Sequence, residues 1–335
     1  MNKRKQDHID ISKREDVASS YNYWDDVHFV HNALPEIDMD DIDTRWRAFG
    51  AVMDAPVVIA GMTGGCADAT SLNHRLAGLA ERYGIGMGVG SQRVALEDEA
   101  AVESYEVVTR FDIPLVLANI GAPQLLEWND AAERAARAIE MIDADVLAVH
   151  LNFLQECIQV EGDRRASGVI DELQNLAASL STPVMVKETG AGISRDVAMR
   201  LCDTDIAGID VGGMSGTSFA AIEAVRAGER GDHVQEELGH LFRDWGIPTP
   251  LSVLETVDVC HDTGMVVIAT GGVRSGLDVA RGIALGADAA GMAAMFLEED
   301  AEVMYEAVLR GLKTAMFLTG CRSLDELREV DVWMS

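Results

Sequence analysis

The chain has 335 residues, 48% of them hydrophobic, enough apolar material for one large or two medium domains with a real core. With 56 Asp and Glu against 27 Lys and Arg, its formal charge of -29 excludes nonspecific attachment to nucleic acid or to an anionic membrane surface. Lysine occurs only at Lys3, Lys5, Lys13, Lys187 and Lys313; such an acidic, lysine-poor composition points to a salt-rich cytoplasm like that of a halophilic archaeon, where screening shortens charge repulsion, with an ordinary acidic mesophile protein as the competing reading.

Residues 1–50 form an amino-terminal extension. It opens on "RKQDH", where Arg4, Lys5 and His8 make a cationic cluster that either binds phosphate or is a solvated terminus, and it continues into the aromatic stretch "YNYWDDVHF". Eight short apolar runs then follow in order: "PVVIAGMTGG", "GIGMGVGSQR", "PLVLANIGAP", "DVLAVHLNFLQE", "PVMVKETGAG", "IAGIDVGGMSGT", "MVVIATGGVRSG" and "AAGMAAMFL". Each closes on small or polar residues, and helical periodicity follows them. Eight such units predict a parallel (β/α)8 TIM barrel, an α/β fold, over residues 51–335. A doubly wound open sheet is the alternative, and it favours a G-x-G-x-x-G turn; the nearest approach, Gly190-Ala191-Gly192, has Arg195 where the third glycine belongs.

Between the first and second runs, "SLNHRLAGLAERYG" carries apolar Leu72, Leu76, Leu79 and Ala80 at helical spacing and stops at Gly84. The charged, glycine-interrupted stretch from Arg226 to Pro250 predicts an inserted loop with a short helix. The five cysteines are scattered, without C-x-x-C or zinc spacing, and read as reduced cytosolic thiols. No apolar run reaches the roughly 18 residues a membrane span requires, so a cytoplasmic location is expected.

In a barrel of this kind the carboxy-terminal strand ends share one mouth. Those ends are Thr63-Gly64-Gly65, Ser91-Gln92-Arg93, Asn119, His150 with Asn152, Lys187, Gly212-Gly213 leading to Thr217, Gly271-Gly272 and Ala293-Ala294. Strand alternation in "DVLAVHLNFLQE" puts Val146, Ala148, His150 and Asn152 on one face and Leu147, Val149 and Leu151 on the other, so His150 and Asn152 turn toward the mouth. Lys187 ends a buried strand, where it is either ion-paired with Glu188 or a neighbouring carboxylate, or faces an electron-rich cofactor edge. The glycine pairs are tight turns or a phosphate cradle. Glu156 is a solvated first-turn carboxylate or a magnesium ligand completed by substrate phosphates.

Together, "RKQDH", "MTGG", "GSQR", "HLNFLQE", "EGDR" and "ATGGVRSG" resemble the type 2 isopentenyl-diphosphate isomerase family, the FMN-dependent isomerases, and the resemblance covers nearly the whole chain. It implies FMN held by Met62, Thr63, Gly64, Ser91, Asn119, Lys187, Thr217, Gly271, Gly272, Ala293 and Ala294. It implies substrate held by Arg4, Lys5, His8, Ser91, Gln92, Arg93 and Gln155, with Gln155, His150 and Asn152 in catalytic positions and Mg2+ on Glu156. The implied reaction is a 1,3-allylic proton shift between isopentenyl and dimethylallyl diphosphate, with FMN active in its reduced form, NADPH as reductant and Lys187 beside the anionic flavin. A homo-oligomer, tetramer or octamer, is implied as well. The chain departs from many members at Met214 and Ser215, where they carry an Arg-Gly pair, and at Phe219, where they carry an indole. Two competing readings stand beside this one. An FMN oxidoreductase on the same barrel needs a late catalytic His or Cys that "DVGGMSGTSF" and "ATGGVRSG" do not offer. A noncatalytic flavoprotein is disfavoured by the joint presence of His150, Asn152, Gln155 and Glu156.

Overall fold

A computed structural model describes residues 3–66 and 68–335; the side chains of Lys3 and Arg4 lie outside the described set. Eight parallel strands close into a barrel in chain order: β1 (Val57–Ile59), β2 (Gly86–Gly88), β3 (Val116–Gly121), β4 (Val146–Leu151), β5 (Val184–Glu188), β6 (Gly208–Asp210), β7 (Val266–Thr270) and β8 (Ala289–Met292). Each lies in one of the eight apolar runs, as strands covered by helices on the outside and by one another inside must be apolar on both faces. Pairing of Ala290 with Val57 joins β8 to β1, which excludes the open sheet.

Register sets the level of the site. Gly121 pairs with His150, His150 with Lys187 and Lys187 with Asp210, so the last three form one row across β4, β5 and β6. Because side chains alternate along a strand, that row faces the interior together with the row below it, Asn119, Ala148 and Met185.

The opposite, amino-terminal end of the barrel is closed by a hairpin of Trp46–Ala48 and Ala51–Met53. Its two-residue turn, Phe49 (φ 52) and Gly50 (φ 81), has the left-handed backbone that matches strand twist. This hairpin crosses the expected boundary after residue 50, and the barrel proper starts at Val57.

The extension wraps the mouth. Its helix, Lys3–Arg14, packs Ile11 against Ala221 and Ile222 of the helix Phe219–Glu229. Beyond it, Ala18 bridges Thr217, Ser19 N–H donates to the Gly216 carbonyl at 2.7 Å, and Trp24 Nε1 donates to the Gly271 carbonyl at 2.9 Å. A further strand, Val27–Phe29, pairs with Val332–Met334 near the end of the chain.

The helix Ala69–Tyr83 ends at Gly84 (φ 58), as its sequence requires. The insertion differs from expectation at its start. Arg226 lies inside the helix Phe219–Glu229 and is 3% exposed, because acidic side chains converge on its guanidinium; the inserted loop begins beyond Glu229 and carries the helix His233–Leu241. Among the described residues no helix is long and apolar enough to cross a membrane.

Candidate active site

The side chains from the end of β4 form the centre of the mouth. Asn119 donates its Nδ2 to the Val89 carbonyl at 2.9 Å, so its Oδ1 is the acceptor for His150 Nδ1 at 2.7 Å, and Nδ1 must carry a hydrogen. That bond fixes the orientation of the imidazole. Two residues on, Asn152 Nδ2 donates to Glu156 Oε1 at 2.8 Å and lies 3.4 Å from Gln155 Oε1, while Gln155 Nε2 donates to Glu223 Oε1 at 3.0 Å. His8, from the amino-terminal helix, reaches the same Glu223 oxygen at 2.8 Å. The result is one continuous polar chain, Glu156, Asn152, Gln155, Glu223 and His8, joining the end of β4 to three helices, Phe153–Ile158, Phe219–Glu229 and Lys3–Arg14. Asn152 is buried, and its Oδ1 has no partner among the described residues; a buried acceptor left open at a strand end fits a donor supplied by a ligand.

Glu223 was not visible as a site residue in the sequence. Burial alone would push its carboxyl up, but His8, Arg226 and Gln155 outweigh that and bring it from 4.5 down to about 2. A depressed carboxylate adds stability above its unfolded value and loses it as pH falls toward the folded one. Glu223→Gln is therefore expected to flatten the acid limb of the stability curve between pH 4.5 and 2, as urea unfolding across that range will record. The overlooked signal was a Glu and an Arg three apart in the otherwise apolar run "FAAIEAVRAG".

Lys187 contacts the Glu188 carbonyl at 3.2 Å and no carboxylate within ion-pair distance among the described residues. Glu188 points the other way, its Oε2 accepting from the N–H groups of Thr189, Gly190, Ala191 and Gly192 at 2.5–3.1 Å. This disposes of a Lys187–Glu188 pair. Asp210, one strand over, is buried; burial raises its carboxyl, and Lys187, the Thr270 hydroxyl and the Gly212 N–H draw it back. Asp210 also escaped the sequence reading, although alternation from Gly208 aims it inward.

The remaining strand ends divide. Lys5 donates to the Ser91 carbonyl at 2.5 Å and to the Tyr105 hydroxyl at 2.6 Å, which brings the extension to β2. Arg93 is partly exposed and pairs with Glu97 at 3.0 Å and Glu127 at 3.6 Å. Gln92 is not brought to the mouth: its Oε1 accepts from Asn119 N–H at 2.9 Å and its Nε2 donates to the Ala138 carbonyl at 2.7 Å, so it faces the helix Ala131–Ile142 outside the barrel. Arg4 keeps its backbone in the amino-terminal helix, and its side chain lies outside the described set. Thr63 is buried against Cys66, and Met62 packs on the core. Gly64 is required by packing, since a Cβ there would fall 2.0 Å from the Tyr105 ring.

On the far side, Gly271 and Gly272 approach the β6 loop closely; a Cβ on Gly272 (φ 71) would meet the Ser215 carbonyl at 2.1 Å. With the Gly271 carbonyl bound by Trp24, the Gly272 N–H of that trans peptide points the opposite way. Ala294 opens a short 3-10 helix, Ala294–Leu297, with Ala293 before it, and the first N–H groups of such a turn lack intrahelical acceptors. These donors fit a phosphate group. Arg274 does not join them, being held by Asp25 at 2.6 Å and Asp278 at 3.2 Å. Met214 is buried, its N–H donating to the Ile247 carbonyl at 2.9 Å, and Phe219 stands edge-on to His8.

No group of three or more His, Cys, Asp or Glu converges as a metal cage among the described residues. Glu156 has Oε1 on Asn152 and Oε2 on the Asp163 N–H at 2.8 Å, so it is a single oriented carboxylate. That donor set fits a hard cation whose other ligands come from a phosphorylated ligand and water.

A family model described as FMN-dependent dehydrogenase matches residues 155–334. The chain is 47% identical to an isopentenyl-diphosphate delta-isomerase of Archaeoglobus fulgidus over 99% of its own length and 96% of the relative's. It is 46% identical to one of Halobacterium salinarum, over 98% and 92%. Among solved structures, a mandelate oxidase variant carrying a monooxide FMN adduct shares the fold with a TM-score of 0.63 at 17% identity, covering 98% of this chain and 92% of that one.

Proposed function

The chain belongs to the isopentenyl-diphosphate delta-isomerase family, and from that premise we propose that it interconverts isopentenyl and dimethylallyl diphosphate in isoprenoid biosynthesis, using reduced FMN and Mg2+. The observation that carries this reading is the chain of side chains from Glu156 through Asn152, Gln155 and Glu223 to His8. It sits one row above a mostly apolar barrel interior that also carries Lys187 and Asp210.

Lys187 and Asn119 would hold the ring of FMN and the Gly272, Ala293 and Ala294 N–H groups its phosphate; when reduced, FMN would supply the proton exchange with the alkene. The protein's residues do the rest. Glu156 would hold Mg2+ for the substrate diphosphate, and Lys5, Arg93 and Arg4 would add local positive charge against a chain of net charge -29. His150 and Asn152 would position the substrate, and the open Asn152 Oδ1, an acceptor, would take a hydrogen from a metal-bound water rather than from the anionic diphosphate. Gln155, bound to an ionised Glu223, carries a proton to or from the allylic carbon, because an amide between a carboxylate and a substrate can pass one on by tautomeric exchange. The amino-terminal helix covers the site and limits water, which a developing carbocation demands. The acidic, lysine-poor surface supports a cytoplasmic protein of a halophile, and a homo-oligomer, tetramer or octamer, is the proposed assembly.

The test is direct. With the flavin reduced anaerobically by NADPH or dithionite and isopentenyl diphosphate and Mg2+ supplied in D2O, deuterium should enter dimethylallyl diphosphate without stoichiometric use of reductant. Consumption of one reductant per product, with a reduced product, would instead establish the oxidoreductase.

A further inference from the structure

Two of the five free thiols meet far from the mouth. Cys202 ends the helix Arg195–Cys202 and Cys260 ends the helix Thr249–Cys260. Their sulfurs are 3.1 Å apart, and Met265 Sδ lies 3.8 Å from Cys202. Helices of a (β/α)8 barrel run antiparallel to its strands, so both ends sit at the amino-terminal face of the barrel, opposite the active site. Nothing in the proposed chemistry uses them. Cys260 is 2% exposed, whereas Cys202 is only partly buried, so a reagent in solution reaches Cys202 first.

We propose that Cys202 and Cys260 are a modification site, a dithiol that a low-molecular-weight disulfide converts into an intrachain disulfide clamping the two helices. The Cys202 thiolate attacks one sulfur of the reagent, and one small thiolate leaves. Cys260 then gives up its proton to solvent and attacks the Cys202 sulfur, releasing the second small thiolate. Two protein thiols are oxidised, one disulfide reagent is reduced to two thiols, and the balance closes. Little backbone movement is needed, since the sulfurs are already inside ordinary sulfur–sulfur contact. Burial and the neighbouring Cys202 push the Cys260 thiol up to about 12, so the second step quickens as pH rises toward that value.

The bond would close a segment whose ends are 58 positions apart, a span that includes β6, Thr217 and Glu223. Constraining such a loop in the unfolded chain stabilises the folded one. Its placement on the face remote from Lys187 and His150 should leave turnover unchanged.

The full-length protein, incubated folded with oxidised glutathione, then acid-quenched, denatured and alkylated, reads this out by mass. Wild type should lose alkylation at Cys202 and Cys260 in addition to Cys157, peptide mapping should find Cys202 joined to Cys260, and dithiothreitol should restore all three. Thermal unfolding of the oxidised form should move up by about 5 °C. Cys202→Ser and Cys260→Ser should each lose the link and the shift, while exposed Cys157 takes up glutathione in every form as an internal control. A stable mixed disulfide at Cys202, or a link that appears only in denaturant, would overturn the proposal. A link without a thermal gain would overturn the clamp.

Discussion

Lys187→Met is expected to lower turnover by about a hundred- to a thousand-fold and to make folding stability more strongly dependent on pH. The ammonium is in register between His150 and Asp210, inside the barrel. Burial already raises the Asp210 carboxyl, and Lys187 is the first of the groups that draw it back. Without it, Asp210 either stands charged in the barrel or takes up a proton, a loss of about 1–3 kcal/mol. The sign follows from proton binding. A folded state that holds its carboxyl proton to higher pH than the unfolded state loses stability as pH rises through that window. The deficit of the variant should thus be largest near neutral pH and shrink as pH falls toward the ordinary carboxylate range. Urea unfolding of both proteins across that range, with bound flavin followed by absorbance, checks this. A gap of equal size at every pH would mean that Lys187 does not neutralise Asp210.

Arg226→Met should cost about 3–5 kcal/mol, by a different route. Its guanidinium is nearly inaccessible and meets Glu223, Glu161 at 3.0 Å and Asp7 at 3.5 Å. Removing it strands Glu223, which is 2% exposed, between His8 and Gln155 with no permanent cation beside it. It also unties Asp7, and with it the helix that carries Lys5 and His8 over the mouth. Activity should fall with stability, through a rise in KM as well as a fall in kcat. Arg226→Lys keeps the charge but not the planar fork, and should recover only part of both. A double-mutant cycle with Glu161→Gln should show coupling; additive effects would place Glu161 outside the network.

The eight strands were legible because each is a local pattern: a short apolar run, a small or polar stop, then helical spacing. The helix ending at Gly84 was legible for the same reason. So was the inward aim of His150, Asn152 and Lys187, which follows from strand parity and from the rule that barrel mouths form at strand ends. Parity gave less help past the strand end, four residues beyond β2, where the chain turns. Gln92 follows Ser91 in the same motif, yet its amide turns outward to the Ala138 carbonyl. Arg226 read as part of a charged loop because its acidic partners, Asp7 and Glu161, are distant in the chain.

The sequence by itself determined the barrel, its order of strands and which residues finish them, since periodicity reports how a side chain points relative to its own element. Only the tertiary structure decided that Glu223 joins Gln155 and His8, that Asp210 faces Lys187, and that Cys202 touches Cys260. Each of those contacts joins separate elements of one closed barrel. No local pattern encodes them, because the cost of burying a charge or a thiol is set by whichever side chain the closed barrel brings alongside.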